Sequence, residues 1–347
     1  MWIGITISTI LIFLFLFTVD VHRMLGALSS VNYVYIAPAV GMYLVSTYFR
    51  AFRWKVLLSG IKPISTRRLF PVVVVGYMAN NLLPMRLGEF VRAYYIGERE
   101  GISKASALVT VFVERVFDAL SLLFFITVIA MFTPLTDLGN VLDKQFGIPW
   151  PIIAGVISVS FIGTLAMLVL FAIYPSMAKK LTFILTRPFP NFIQTTAFNM
   201  IVDSLDGLKS LEKADVLGLI FLLSIPIWIS EATVFLIIGL PFGFHNLHSS
   251  FEAMIVNMIL VTSVTNIGSS IPAAPGGIGL FEIIARETLV MGPFAEIDRA
   301  TAAGFAVVVH ATLLLPMIIL GQVILWAGHM SLKRLSQKQP WDEAKIS

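Results

Sequence analysis

Six stretches of the chain are apolar over a length that suits a single membrane-spanning helix. A hydrocarbon core about 30 Å thick needs about 20 apolar residues in an α-helix. The stretches that meet this length are residues 2–19, 34–54, 105–132, 151–174, 216–240 and 301–327. We therefore predict about six full transmembrane helices.

Two further apolar regions, 69–97 and 251–293, contain helix-breaking positions in their middle. Proline removes a backbone donor and glycine weakens a helix, so neither region is expected to be one continuous helix. The break positions are Asn81, Pro84 and Gly88 in the first region and Pro272, Pro275, Gly276, Gly277 and Gly279 in the second. Each region is predicted to form a broken helical hairpin, either re-entrant or built of two short helices.

The composition agrees with a membrane protein. Hydrophobic residues make up 57% of the chain and charged residues 13%, and the mean hydropathy is +0.89. Soluble domains have about 25% charged residues, which are needed to cover their surface. The predicted fold class is therefore an all-α polytopic membrane protein.

The composition also excludes several kinds of chemistry. The chain has no cysteine, so disulfides, thiolate metal sites and catalytic thiols are excluded. Its Lys and Arg residues form no run with interleaved aromatic residues that would suggest nucleic-acid binding. His245 and His248 form an HxxH pair without a nearby acid, so a metal site is not expected there. We predict no cofactor, no metal and no nucleic-acid partner.

Basic residues predict the orientation of the chain, because cytoplasmic loops are rich in Lys and Arg. The segment 50–68 has basic residues and no acid, and the segments 175–215 and 331–347 are also basic. We predict that these three segments and both termini lie in the cytoplasm, with an amphipathic interfacial helix within 175–215. The membrane is predicted to be the cytoplasmic membrane.

This orientation makes the two hairpins enter the membrane from opposite sides. Residues 34–132 would form a first repeat-like unit and residues 216–327 an inverted second unit. Both belong to a predicted single membrane domain of residues 1–330, followed by a cytoplasmic tail. Inverted repeats in transporters place the binding site near the midplane, where their broken helices meet.

The first break contains charged residues that lipid does not tolerate without a partner or water. Glu89 and Arg92 are three residues apart and would share one helical face, whereas Arg86 has no obvious local partner. One interpretation is that these charges neutralise each other and lock the broken helix. The other is an anion site, since guanidinium groups match phosphate oxygens and a helix N-terminus adds free N–H groups.

A second charged group lies within the apolar stretch 105–132. Glu114 and Asp118 are four residues apart and repel each other unless a cation lies between them. Arg86 or Arg92 is the predicted bridge, and Arg115 stands beside them. This group is either a structural ion network or a set of residues that balances the charge of a bound ligand and holds a coupling proton.

Two isolated polar residues lie in other apolar stretches. Glu231 follows Pro226 in the middle of a predicted helix and would either line a cavity or pair with an arginine. His310 lies in the last apolar stretch and is interpreted as a hydrogen-bonded packing residue, with a proton relay as the alternative.

The second break has a glycine-rich sequence. No strand precedes it and no Lys-Ser/Thr pair follows it, so a dinucleotide or P-loop site is rejected. Gly276, Gly277 and Gly279 would instead expose consecutive N–H groups that favour an anion. Glu282 and Arg286 follow at a spacing that predicts an ion pair.

Four motifs together resemble one known family. They are NNLLPMRLGEFVRA from position 80, GISKASA from position 101, ERVFD from position 114 and PAAPGGIGLFE from position 272. The resemblance is to the lysylphosphatidylglycerol synthase transmembrane-region family, also called the flippase-like domain family, and it extends over about residues 1–330. In some members this membrane unit is joined to a soluble aminoacyl-transferase domain and moves the modified phospholipid between leaflets. Others are associated with glycolipid or polyprenyl-lipid pathways, and we expect a stand-alone member here.

The resemblance and the charged residues lead to one hypothesis of function. The chain is predicted to move an anionic phospholipid, glycolipid or polyprenyl-phosphate-linked headgroup between leaflets. The predicted substrate-binding residues are Arg86, Glu89, Arg92, Arg115, Gly276, Gly277, Gly279 and Glu282, and the predicted charge-balancing residues are Glu114, Asp118 and Glu231. One alternative is a transferase or hydrolase acting on a lipid-linked phosphate, with Glu114 or Glu282 as general base. The other is a scaffold for a cell-envelope biosynthesis enzyme.

Overall fold

The computed structural model describes residues 2–133, 150–270 and 275–327. These residues form helices and short connections and contain no strand. The α-helices of the described residues are α1 (Trp2–Phe17), α2 (Val21–Ser29), α3 (Ile36–Leu58), α4 (Thr66–Leu82), α5 (Gly88–Glu100), α6 (Lys104–Phe132), α7 (Trp150–Ile173), α8 (Pro175–Thr186), α9 (Asn191–Leu205), α10 (Ala214–Gly239), α11 (Phe244–Leu247), α12 (Phe251–Gly268), α13 (Leu280–Met291) and α14 (Arg299–Ala327). The predicted all-α polytopic class is confirmed.

Five helices of the described residues are long and apolar enough to cross a membrane. They are α6, residues Gly155–Ile173 of α7, α10, α12 and α14. A sixth span is possible if Thr9–Phe17 and Val21–Ser29, which meet at 90°, count as one broken crossing. The number agrees with the prediction, but the identity of the spans differs, since α3 is not among them and α12 is.

The first predicted span, residues 2–19, corresponds to α1, and the chain bends sharply at its end. α1 ends at Phe17, and the carboxylate of Asp20 accepts a hydrogen bond of 3.0 Å from the N–H of Arg23 at the start of α2. An aspartate in this position satisfies a free donor of the new helix and so favours a helix start. α1 then packs against both breaks and against α13.

Both interrupted regions form hairpins whose two helices pack against each other, α4 with α5 and α12 with α13. Each hairpin has a short 3₁₀ turn between its helices, Pro84–Arg86 in the first and Pro275–Gly277 in the second. Met85 and Arg86 have φ of 57° and 54°, a left-handed conformation that non-glycine residues rarely adopt. The predicted break position Pro272 lies outside the described residues.

Gly88 allows α5 to approach α4 more closely than any side chain would permit. A Cβ atom at Gly88 would lie 2.1 Å from the carbonyl oxygen of Gly76 and 2.5 Å from the backbone nitrogen of Asn80. Both neighbours are backbone atoms of a packed helix and cannot rotate away. The predicted break position is therefore a close contact between helices, and it fixes the geometry of the first hairpin.

Replacing Gly88 with alanine is expected to destabilise the protein by about 1–3 kcal/mol, because the added methyl group overpacks the contact between α4 and α5 and shifts the backbone. Thermal unfolding of the detergent-purified protein measures the effect. Gly41 is the matched control, since it also lies in a helix but a Cβ there would meet no atom within 4 Å. Gly41→Ala is expected to be neutral or slightly stabilising. Equal unfolding temperatures for the two variants would contradict the close contact at Gly88.

The contacts between helices follow a two-fold pattern. When α3, α4, α5 and α6 are matched with α10, α12, α13 and α14, each packed pair in the first unit has a packed counterpart in the second. The contacts between units are also reciprocal: α4 packs on α14 and α12 on α6, while α3 packs on α10. Among the residues that the structure describes between the units, there is one candidate span, in α7, and an inverted orientation requires an odd number of crossings there. The orientation itself stays a prediction.

Two buried apolar clusters form the core on either side of the contact between α3 and α10. One contains Val74, Phe235 and Phe305, and the other contains Trp54, Leu69 and Val111. The region predicted to contain an interfacial helix consists of α8, α9 and a 3₁₀ segment, Asp206–Glu212. The apolar face of that region packs against the second cluster through Leu205 and Leu208. These contacts place the region against α6 and α7.

Candidate functional site

A polar cavity of about 140 Å³ lies where the two breaks meet. The turns Pro84–Arg86 and Pro275–Gly277 contact each other, and α3, α4, α6, α10, α12, α13 and α14 contribute the rest of the cavity wall. The lining contains Tyr43, Arg50, Tyr77, Asn80, Asn81, Arg86, Arg115, Trp228, Glu231, Asn266, Ser269, Gly276, Gly277, Phe281, His310, Leu313 and Leu314. Most of its polar groups come from the first unit and α10, and its apolar wall comes from α13 and α14.

Arg86 extends from the first break to the second hairpin. Its Nη2 donates a hydrogen bond of 3.0 Å to the carbonyl of Ser269, at the end of α12. Within the part of the chain that the structure describes, Arg86 has no carboxylate within ion-pair distance. A half-buried guanidinium that contacts only a carbonyl still has its charge available to an anion.

Arg115 is the second arginine of the cavity and belongs to α6. Its Nη2 lies 3.5 Å from Oδ2 of Asp118 and 3.4 Å from the hydroxyl of Tyr77, and its Nε lies 3.7 Å from Glu89. Glu89 is therefore paired with Arg115, so the interpretation in which Glu89 and Arg92 neutralise each other does not describe this structure. The three-residue spacing favoured that local pair, but α6 supplies a better-placed partner.

Arg50 and Arg53 of α3 were predicted to be cytoplasmic loop charges, and the structure corrects this. Arg50 forms an ion pair with Glu231 and lies 3.7 Å from Asp118, whereas Arg53 lies 2.8 Å from Asp118. Both arginines are buried, with 4% and 0% of their surface exposed. Arg53 also donates a hydrogen bond of 2.6 Å to the hydroxyl of Ser224 on α10. The sequence feature that could have indicated a buried ion pair is the position of both arginines, three residues apart, within an apolar helix.

Arg92 is held away from the cavity. Its Nη1 donates to Glu114 at 2.5 Å, and its guanidinium lies 3.6 Å from the centre of the Trp54 ring. The indole nitrogen of Trp54 donates in turn to the hydroxyl of Thr110 at 2.9 Å. Arg92 was one of the two arginines predicted to lie between Glu114 and Asp118, and it does contact Glu114. Asp118 is instead contacted by Arg50, Arg53 and Arg115. This cluster of Arg92, Glu114 and Trp54 fastens α3, α5 and α6 together.

The network around the cavity has an excess of positive charge. It contains the arginines 50, 53, 86, 92 and 115 and the acids Glu89, Glu114, Asp118 and Glu231. Five guanidinium groups therefore face four carboxylates. The uncompensated charge belongs to Arg86, which lines the cavity.

The second break is held by a hydrogen-bond network of its own. His310 of α14 lies 2.6 Å from Glu282 through Nδ1 and 2.9 Å from the carbonyl of Gly276 through Nε2. Glu282 also accepts a hydrogen bond of 2.7 Å from the N–H of Gly279. Gly276 and Gly277 line the cavity with φ of 61° and 74°. The Gly279 N–H is engaged by Glu282, so the predicted run of free N–H groups is not complete.

Arg286 is not the partner of Glu282, which corrects a further prediction. It lies 2.6 Å from Glu287 and donates a hydrogen bond of 2.9 Å to the hydroxyl of Thr18. Arg286 therefore ties α13 to the end of α1, away from the cavity.

An apolar chamber of about 420 Å³ lies beside the polar cavity. The helices α5 to α9 surround it, and its lining includes Phe90, Phe112, Phe171 and Leu205. A small cavity of about 10 Å³, which we call the neck, has lining residues in common with both spaces. The neck shares Tyr77, Asn80 and Arg115 with the polar cavity and Glu89 with the chamber. Glu89 is thus the residue that the apolar chamber and the neck have in common.

The structure brings part of the predicted site together. Asn81, Arg86, Arg115, Glu231, Gly276 and Gly277 line the polar cavity, while Glu89 and Arg92 line the neck. Four other predicted residues do not line the polar cavity, but they contact residues that line it or the neighbours of those residues: Glu114, Asp118, Gly279 and Glu282. Among the described residues, no group of three or more His, Asp or Glu side chains is placed to hold a metal ion.

The chain is similar to one known protein family and to several individual proteins. The family described as Lysylphosphatidylglycerol synthase TM region matches residues 1–321. Glycosyltransferase AglD of Haloferax volcanii is 23% identical over 332 residues, which cover 89% of this chain and 51% of AglD. A UPF0104 membrane protein of Methanothermobacter thermautotrophicus is 24% identical over 313 residues, which cover 84% of this chain and 86% of that protein. A UPF0104 membrane protein of Methanocaldococcus jannaschii is 34% identical over 135 residues, 36% of this chain and 40% of that protein. The chain spans about half the length of AglD.

Proposed function

Since the chain belongs to the lysylphosphatidylglycerol synthase TM-region family, we propose that this integral membrane protein moves a lipid with an anionic headgroup between leaflets. The observation that supports this most directly is the position of Arg86. Its charge is not compensated by a carboxylate in the described structure, and it lines a polar cavity between two hairpins of opposite predicted orientation.

The charge of the network favours a phosphate group in the ligand. One excess positive charge suits a monoanion such as a phosphodiester, and the guanidinium of Arg86 offers a planar pair of donors for its oxygens. Arg115 lies on the same cavity wall, but two carboxylates already share its charge. We therefore assign the phosphate to Arg86 and a supporting role to Arg115.

The apolar chamber supports a lipid rather than a free phosphate compound. Phe90 and Phe112 line the chamber and are each about half exposed, at 57% and 49%, so the chamber is open toward the apolar surroundings. A hydrocarbon chain can lie there while the headgroup passes the neck beside Glu89. Only the headgroup then needs a path lined by polar groups, and its charge is met by Arg86 instead of by lipid.

The proposal includes an orientation and a cellular place. Both termini lie in the cytoplasm and the protein resides in the cytoplasmic membrane. The basic segment 50–68, which begins within α3, supports this side, although two of its six basic residues, Arg50 and Arg53, are buried in the ion-pair network. The four basic residues that remain are Lys55, Lys62, Arg67 and Arg68.

Reconstitution tests the proposal. The protein is placed in phosphatidylcholine vesicles that contain NBD-labelled phosphatidylglycerol in both leaflets, and dithionite is added outside. We expect label from the inner leaflet to become accessible faster than in protein-free vesicles, with the label chemically unchanged. Unaltered protection of the inner leaflet in vesicles with NBD-labelled phosphatidylglycerol, glycolipid or polyprenyl phosphate would overturn the proposal.

A second candidate function is group transfer onto a lipid-linked phosphate. The similarity to AglD, which is named as a glycosyltransferase, favours it, and Glu282, which contacts the cavity-lining His310, would act as the general base. Mass spectrometry of the same vesicles separates the candidates, because a transferase or hydrolase yields a new lipid species. A role as a scaffold for a cell-envelope enzyme requires neither movement nor conversion of lipid.

A further inference from the structure

His310 has both ring nitrogens at hydrogen-bond distance from oxygen atoms. Nδ1 lies 2.6 Å from Oε1 of Glu282, and Nε2 lies 2.9 Å from the carbonyl oxygen of Gly276. The ring is buried, with 4% of the residue exposed, and it stacks on Phe281 with 4.1 Å between ring centres. The stacked ring cannot turn away from either oxygen without losing this contact.

The two contacts fix the number of protons on the pair. A carbonyl oxygen only accepts, so Nε2 must have a hydrogen. The contact between Nδ1 and Glu282 needs one further proton, on the nitrogen or on the carboxylate. A neutral ring facing an ionised carboxylate would place two lone pairs 2.6 Å apart. The observed arrangement therefore holds one proton more than a neutral histidine and an ionised glutamate.

Loss of that proton opens one of the two contacts. If Nε2 keeps its hydrogen, Nδ1 and the carboxylate of Glu282 repel each other. If the hydrogen moves to Nδ1, Nε2 repels the carbonyl of Gly276. Gly276 lines the polar cavity, and a Cβ atom there would lie 3.4 Å from the carbonyl oxygen of Asn81 in the first break. Proton loss would therefore loosen the contact between the two breaks.

We propose that His310 and Glu282 form a proton-binding site, and that its loading couples proton movement to lipid movement through the wall of the polar cavity. This inference rests on the proposed function. The acids of the first unit are less suited to the role, because Glu89, Glu114 and Asp118 each face at least one arginine that stabilises the ionised form. His310 thus takes the role of the proton relay that the sequence left as an alternative.

Other charged and titratable groups share the space around this pair. Glu282 comes from α13, and the remaining groups that line the same cavity are Tyr43, Arg50, Tyr77, Arg86, Arg115 and Glu231. α2, which also packs on α14, contributes no described residue to that lining. Of these groups, Glu282 is the one within hydrogen-bond distance of the His310 ring in the described structure. Arg86 and Arg115 are cationic and line the same cavity as His310. An anion bound to them would therefore interact electrostatically with the proton on the His310–Glu282 pair.

A second buried histidine provides a matched control. His248 lies 2.7 Å from the carbonyl of Phe244 through Nδ1 and 2.9 Å from Nδ2 of Asn257 through Nε2. Here one partner accepts and the other donates, which suits a neutral ring with its hydrogen on Nδ1. His248 therefore needs no additional proton, although it is buried like His310.

NMR tests the proton site without any need for lipid movement. The protein is labelled with ¹⁵N-histidine, placed in lipid nanodiscs and titrated from about pH 5 to about pH 9, with resonances assigned by His310→Gln and His248→Gln. We expect the ring nitrogens of His310 to shift with pH and those of His248 to stay constant. Glu282→Gln should move the His310 titration. Invariant His310 signals in the wild-type protein would overturn the proposal.

Transport in a pH gradient tests the coupling. The vesicles contain NBD-labelled phosphatidylglycerol, and valinomycin with equal K⁺ on both sides holds the membrane potential at zero. With one proton per lipid, a gradient of one pH unit should give about a tenfold leaflet ratio of the label. His310→Gln should give a leaflet ratio of one, whereas His248→Gln should retain the wild-type ratio.

The outcomes separate the two proposals. A His310→Gln protein that still accumulates label in one leaflet overturns the coupling. Wild-type movement that ignores the gradient also overturns the coupling and leaves the translocation proposal intact. If no lipid moves, the translocation proposal fails for that lipid, and the NMR titration still decides whether His310 and Glu282 bind a proton.

Discussion

Replacing Arg86 by alanine is expected to reduce lipid translocation by about 10- to 100-fold while leaving the fold intact. A charge-assisted hydrogen bond contributes about 1.5–3 kcal/mol, and 1.4 kcal/mol corresponds to a factor of ten. The fold should tolerate the change because the partner of Arg86 in the described structure is the carbonyl of Ser269 and not a carboxylate. Dithionite accessibility in vesicles measures the rate, and thermal unfolding in detergent measures the stability.

Two further variants sharpen the test of Arg86. Arg86→Lys keeps the charge but loses the planar fork, so an intermediate rate is expected. Arg23→Ala is the matched control, because Arg23 is also an arginine but its side chain is 80% exposed and pairs only weakly with Asp20 at 3.4 Å. It should retain the wild-type rate. A full rate for Arg86→Ala at normal stability would remove the main support for an anion site.

The sequence predicts the membrane helices well where the apolar stretch is continuous. The predicted boundaries 105–132, 216–240 and 301–327 lie within two residues of α6, α10 and α14. Bilayer thickness sets the length of such helices, so a local pattern is sufficient. The bend after Phe17 lies at the end of the predicted span 2–19, and a second helix that starts at once after Asp20 was not predicted.

Ion pairs were predicted less well than helices, and the reason is the distance along the chain. Spacing rules favour neighbours on one helix, so they offered Arg92 as one possible partner of Glu89 and predicted Arg286 as the partner of Glu282. The observed partners are Arg115 for Glu89 and His310 for Glu282. Each lies on a different helix, at a separation that no local pattern reveals.

Arg50 and Arg53 show the same limit in another form. The segment 50–68 contains no acid, so the positive-inside rule assigned both arginines to a cytoplasmic loop. Their partners, Asp118 and Glu231, belong to α6 and α10. Only the packing of α3 between those helices brings the charges together, and that packing follows from the two-fold arrangement of the units.

Asp118 is the acid on which this arrangement depends most, and Asp118→Asn is expected to destabilise the protein by about 3–5 kcal/mol. The carboxylate is 4% exposed and lies between Arg50, Arg53 and Arg115. Its removal leaves three guanidinium groups with less compensating charge in a place without free access to water. The unfolding temperature in detergent and the yield of folded protein should both fall. Asp20→Asn is the control: asparagine also caps a helix, and the exposed pair with Arg23 contributes less than about 1 kcal/mol.

A double variant distinguishes charge imbalance from loss of packing. Arg53→Met in the Asp118→Asn background removes one buried cation and replaces it with an apolar chain of similar length, so part of the stability should return. The same Arg53→Met change alone should destabilise the protein, because it leaves Asp118 with weaker partners at 3.5 and 3.7 Å. If the double variant were less stable than Asp118→Asn, the side chain of Arg53 would act through packing. In that case packing, and not the ion pairs with α6 and α10, would hold the arginine-containing helix α3 in the core.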